Sequence, residues 1–92
     1  MNNNITKTSQ LTPKTIEDIS RDIASNWESV CSQMDMNVSY IKASVPPGAT
    51  PLSYSREFMN VVCNKSLPIS ELYSALNECG LNNLTVKYGG NL

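Results

Sequence analysis

Nucleophilic catalysis needs a hydroxyl or thiol held beside a tuned base. The chain has three cysteines, Cys31, Cys63 and Cys79, and no histidine, so the commonest base is absent. A Cys–Lys or Ser–Lys dyad would need supporting flanking sequence, and none is found. The nearest thing to a paired-carboxylate site is Glu17, Asp18 and Asp22. Their spacing puts them on the watery side of a helix, where such charges serve solubility. Three cysteines cannot pair evenly into disulfides, and a zinc site would want four ligands, usually with histidine. They are read as small buried thiols in a reducing compartment. There is no glycine-rich phosphate loop. No catalytic, cofactor-binding or metal-binding residue is therefore expected, and the chain is read as non-enzymatic.

Composition narrows the partners. Phosphate-driven nucleic-acid binding needs a basic excess, whereas the net charge is −1. No apolar run approaches the roughly 18 residues of a membrane span, and no signal peptide is visible at the start. The expectation is a soluble, cytoplasmic domain without membrane contact of its own. Asn-x-Ser/Thr occurs at Asn4, Asn37, Asn64 and Asn83. Such tripeptides arise by chance in a chain this rich in Asn, Ser and Thr, and no glycosylation is expected. With 92 residues the chain fits one small domain, and a helical core of that size folds without staples but with little margin.

The elements that must position any site follow from apolar spacing. Residues 1–11 are polar and aperiodic and are expected to be a disordered leader, with Leu11 the first to touch a core. Thr12-Pro13 reads as a cap followed by proline at the first helical position. Ile16, Ile19 and Ile23 then predict a helix over 13–24 with an acidic outer face. Trp27, Val30, Cys31 and Met34 share one face of a second helix, 26–35, for which Ser25 and Glu28 would form a capping box. Val38 and Ile41 anchor a third, 38–43. Three prolines and a glycine then predict a loop over 44–52. A fourth helix, 53–64, is expected to bury Phe58, Val61, Val62 and Cys63. A fifth begins near Pro68, buries Ile69, Leu72, Tyr73, Ala75 and Leu76, and stops at Gly80 in the left-handed conformation. Leu81, Leu84 and Val86 predict a sixth, 82–87, ahead of a flexible tail, 88–92.

This order resembles the death domain of the death-fold superfamily. The resemblance rests on Trp27, then Val30 with Cys31, then Met34 with Met36, then the anchor Ile41. It continues in Leu72, Ala75 and Leu76 ahead of Gly80, and spans most of residues 12–86. It implies an all-α, six-helix antiparallel Greek-key bundle over 12–87, built around Trp27. Death domains commonly carry a second tryptophan near the end of the fourth helix. Asn64 and Lys65 stand there instead, so that corner should be smaller and differently filled.

The resemblance also implies a function: binding another death domain and assembling a signalling complex in innate immunity or cell death, as part of an adaptor, receptor or kinase. In that family there are three kinds of contact: helices one and four of one copy meet helices two and three of the next, another uses the loops after helices three and five, and the third uses helix three. Carried over, the first patch comprises Asp18, Arg21, Asp22 and Arg56, and its complement Glu28, Asp35, Tyr40 and Lys42. Ser53, Tyr54 and Ser55, beside the proline loop, are further candidates. Reversing charge at Arg56 or Asp22 is expected to spare the fold. Two alternatives stand beside this reading. A caspase-recruitment or related domain would share the apolar order, but a broken first helix would suit it better than the continuous stripe from Ile16 to Ile23. A small helical DNA-binding domain could use helices two and three as a helix-turn-helix. Against that, Lys42 is the only basic residue between Glu28 and Ser55. A secreted helical protein would instead pair its thiols.

Overall fold

Thr12 and Pro13 begin the first helix as the sequence predicts. Thr12 Oγ1 accepts the Thr15 N–H at 3.2 Å, and Pro13 occupies the position whose N–H would have no partner anyway. A computed structural model describes residues 5–89. Within them lie six α-helices and no strand: α1 (Pro13–Asp22), α2 (Trp27–Gln33), α3 (Val38–Ala43), α4 (Pro51–Asn64), α5 (Ile69–Glu78) and α6 (Asn82–Gly89). The all-α expectation therefore holds at the level of helix number and order.

α4 is the hub, packing against α1, α2 and α3. α2 also packs on α5, α5 on α6, and α6 returns to α1, so non-consecutive helices close a ring. Its interior is filled by Ile19 and Ile23 from α1 and the segment after it, Val30 and Cys31 from α2, Ile41 from α3, Phe58, Met59 and Val62 from α4, and Leu72 and Leu76 from α5. Trp27 is buried to 4 % exposure at the start of α2. Its ring stacks on Tyr54 of α4 with centroids 5.6 Å apart and planes 19° from parallel.

The α1–α4 contact carries a polar seam as well. Ser20 and Ser55 are fully buried; Ser20 Oγ donates to the Ile16 carbonyl at 2.7 Å and Ser55 Oγ to the Ser20 carbonyl at 2.8 Å. Both hydroxyls are thus satisfied where an unpaired one would cost about 1–3 kcal/mol. Ser55 was expected at an exposed surface and is instead core.

Several boundaries and faces are corrected. The loop after α3 spans 44–50, because Thr50-Pro51 repeats the start signal of α1: Thr50 Oγ1 accepts the Ser53 N–H at 3.2 Å. The buried side of α4 is Ser55, Phe58, Met59 and Val62, a helical stripe that leaves Val61 and Cys63 half-buried. The capping box at Ser25 and Glu28 does not form. α2 starts one residue later, with Asn26 at the cap position making no side-chain cap bond. In α6 the stripe runs through Leu84 and Tyr88, whereas Val86 is 71 % exposed, since residues two apart lie on different helix faces.

The expected disordered leader is also corrected where it is described. Residues 6–8 are strapped to the α4–α5 connection: the Thr8 N–H donates to the Leu67 carbonyl at 2.8 Å and the Ile69 N–H to the Thr6 carbonyl at 2.9 Å. Thr8 is fully buried, and its Oγ1 donates at 2.9 Å to the Val62 carbonyl. That carbonyl lies in the last turn of α4, where helical partners run out. Gln10 closes the short 3-10 turn Thr8–Gln10, its side-chain oxygen accepting the N–H groups of Thr6 and Lys7. Polarity here supplies hydrogen bonds rather than disorder. Of the expected tail, Tyr88 and Gly89 belong to α6. A side chain at Gly89 would strike the Tyr73 ring at 2.7 Å, so glycine permits the close seating of α6 on α5. The expectations for residues 1–4 and 90–92 lie outside the described residues.

α5 ends as the sequence predicts. Gly80 sits at φ +77°, Leu81 N–H donates to the Leu76 carbonyl at 2.8 Å and Gly80 N–H to that of Asn77 at 3.0 Å. α2 ends the same way with Asp35 at φ +59°; Met36 and Asp35 donate to Cys31 and Ser32, each at 3.0 Å.

Two substitutions test this packing by urea unfolding. Phe58→Ala should cost about 3–5 kcal/mol, the usual range for emptying a core aromatic site. Thr8→Val keeps the shape but orphans the Val62 carbonyl and should cost about 1–2 kcal/mol. A disordered leader would give no change.

Candidate protein interface

The outer face of α1 is built from two parallel pairs one helical turn apart. Lys14 Nζ meets Asp18 Oδ2 at 2.9 Å, and Arg21 Nε meets Glu17 Oε2 at 2.9 Å. Arg56 reaches across from α4 and grips the same Glu17 as a fork, Nε at 3.0 Å from Oε1 and Nη2 at 2.6 Å from Oε2. Arg56 foremost, then Arg21, hold the Glu17 carboxyl below its ordinary range against a smaller opposing effect of desolvation. Of the predicted patch, Arg21 and Arg56 are thus brought together on Glu17, whereas Asp18 pairs with Lys14 along α1. Glu17, which joins the two arginines, was missing from the predicted set. Its i,i+4 spacing to Arg21 was the only sign in the sequence; the bond to Arg56 spans 39 positions.

Asp22 does not belong to that ridge. Its Oδ2 accepts from Tyr88 OH at 2.5 Å and from Lys87 Nζ at 2.9 Å, tying α1 to α6. The Tyr88 bond first, then Lys87, lower its pKa. Lys87 in turn lies 5.0 Å from the centroid of the Tyr88 ring.

The complementary set divides as well. Glu28 of α2 and Lys42 of α3 form an ion pair at 3.1 Å. The one basic residue of the α2–α3 region is therefore engaged with a carboxylate rather than presented to a phosphate. Asp35 and Tyr40 lie elsewhere, in an open groove of about 570 Å³ between α3 and the C-terminal end of α4 that Met36, Val61 and Lys65 also line. Tyr40 is 63 % exposed. A second groove of about 530 Å³ borders the ridge and is lined by Glu17, Pro46, Ser53 and Arg56. Of the further candidates only Ser53 reaches it; Tyr54 is spent on Trp27 and Ser55 on Ser20.

The cysteines are free thiols: Cys31 is buried, Cys63 and Cys79 half-buried. Burial raises the pKa of all three, with Glu28 adding to the effect at Cys31 and Glu78 at Cys79. At neutral pH they are protonated and weak nucleophiles. Among the described residues no group of three or more Cys, Asp and Glu is placed to hold a metal ion, and no helix is long and apolar enough to cross a membrane. Comparison of the chain with protein-family models, with curated proteins and with solved structures finds no match.

The Asp22 latch gives stability a pH signature. Because its folded pKa is depressed, its contribution is complete above the unfolded value of about 4 and is lost as pH falls through the lower folded value. Asp22→Asn should flatten the acid side of the stability profile, read as urea midpoints from neutral pH downward. An unaltered acid limb would mean that the latch contributes nothing. Contrary to the expectation of a silent position, Asp22→Lys should lower the melting midpoint, because it sets a second ammonium against Lys87.

Proposed function

We propose that the chain is a non-enzymatic interaction module of the death-fold type that binds another death domain in the cytoplasm. On this reading it nucleates a signalling complex in innate immunity or cell death. One observation carries the reading: Arg21 and Arg56 are gathered on Glu17 into a charged ridge on α1 and α4, with the Lys14–Asp18 pair also on α1, while Glu28 and Lys42 pair on α2 and α3. Two different charged faces on one chain suit head-to-tail contact, which extends into rings or filaments. Ion pairs at such faces favour steering and specificity over raw affinity.

Further support comes from the architecture. Trp27 is buried in a chain of six helices, and the packing of non-consecutive helices, α1 on α4 and α6 and α2 on α5, supports the reading. The ridge is also electrically prepared. Arg56 and Arg21 share one carboxylate, so one arginine can turn to a partner's acid while the other keeps Glu17 neutralised.

Capture by a set of immobilised, purified death domains tests the proposal. Wild type should be retained by at least one of them, and Arg56→Glu should weaken retention about tenfold or more. Arg56→Gln, which removes the charge without setting a second carboxylate against Glu17, should also weaken retention and should move the melting midpoint little, since an exposed ion pair is worth about 0–1 kcal/mol. Retention that survives reversal at Asp18, Arg21 and Arg56 alike would rule out the ridge, and retention by none of the bait proteins would rule out the homotypic reading.

A further inference from the structure

We infer that the groove between α3 and the end of α4 is a self-complementary surface on which a second copy of this chain docks about a two-fold axis. The inference goes beyond the proposed function: Asp35 and Tyr40 of the complementary set line this groove, but the two-fold pairing inferred uses neither the α1–α4 ridge nor the Glu28–Lys42 pair.

Three observations converge here. Tyr40 and Val86 are the only large apolar side chains well exposed among the described residues, and Tyr40 stands in this groove. Beside it are apolar walls from Met36, Ile41 and Val61, of which only Ile41 is fully buried. An exposed phenol over an apolar floor is the usual composition of an interface centre.

Charge identifies the occupant. Most basic residues of the chain are engaged internally: Lys14, Arg21, Lys42, Arg56 and Lys87 each hold a carboxylate. Lys7 and Lys65 make no ion pair among the described residues, nor do Asp35, Glu57, Glu71 and Glu78; of these only Asp35 and Lys65 line this groove, and Asp35 also borders a second one beside Glu71 and Glu78. An apolar centre flanked by one unengaged acid and one unengaged base is its own complement. Under a two-fold axis Asp35 of each copy meets Lys65 of the other, which is how an isologous interface is built. A one-signed partner, by contrast, would leave either Asp35 or Lys65 facing a like charge.

Backbone geometry places the acid. Asp35 ends α2 in the left-handed conformation, bonded through its N–H to the Ser32 carbonyl. Lys65 ends α4 in the position after Asn64, its N–H donating to the Val61 carbonyl at 3.0 Å. Both charges are thus carried on helix ends fixed by main-chain bonds, and Tyr40 of α3 lines the same groove.

Sedimentation velocity on the full chain over a concentration series reaching the millimolar range tests the inference. Wild type should pass from monomer to dimer, more weakly as salt rises. Asp35→Lys and Lys65→Glu should each raise the dissociation constant about tenfold, and Tyr40→Ser likewise. The decisive species is the double variant Asp35→Lys with Lys65→Glu: both intermolecular pairs are then reversed together, and dimerisation should return to near the wild-type value. A wild type that stays monomeric, or a double variant no better than the singles, overturns the inference. Should lysine fail in the left-handed backbone at position 35, Asp35→Asn suits that conformation. It should weaken the dimer and reduce its salt dependence, and an unchanged dimer would again overturn the inference. Arg56→Glu should leave this dimer intact, so loss of the ridge and loss of the groove read out separately.

Discussion

Ser20 and Ser55 meet across α1 and α4 with no long side chain between them, and the rest of the bundle is arranged about that approach. A buried hydroxyl donating to the neighbouring helix's carbonyl sets the separation; Phe58 and Met59 on one side and Ile19 on the other then fill the space beside it. α4 also receives α2 and α3, so the α1–α4 contact lies at the hub of the bundle. The charged ridge follows from the same approach. Across the same contact Arg56 reaches a carboxylate on α1 in a two-pronged bond.

Apolar spacing made the helix order legible, and capping chemistry made the starts legible where it was applied. Thr12-Pro13 and Thr50-Pro51 are the same signal; the second was obscured by the prolines before it, which read as loop. Gly80 announced the end of α5, whereas Asp35 and Ser66 adopt the same left-handed conformation without the residue that usually advertises it. Residues 5–11 have no periodicity because their role is played by single hydrogen bonds to distant carbonyls, and no local pattern encodes those. The candidate surface was legible to the same degree. Asp18, Arg21 and Arg56 could be assigned to one face from helix spacing and the resemblance. Neither source showed that Glu17 joins the two arginines, or that Asp22 is occupied by residues 65 and 66 positions away.

Charge economy separates the surfaces by job. A charge-poor chain that commits most of its cations to internal pairs leaves few with which to recognise anything, and those few are informative. Exposed ion pairs add little to stability, so the ridge on α1 and α4 is better understood as presenting an ordered pattern than as holding the bundle together. The protonated, sheltered thiols contribute volume rather than reactivity.

The two ends of the described chain are each sewn to partners far along it: Thr8 to a carbonyl 54 positions on, Lys87 and Tyr88 to a carboxylate 65 and 66 positions back. Such closures carry a large loop-entropy cost before they return any stabilisation. During synthesis, α1 through α3 would therefore leave the ribosome able to form helices but not the finished ring. α6 acts as the clasp, and a chain in which α6 has not yet docked on α1 and α5 would present its unclosed interior to chaperones.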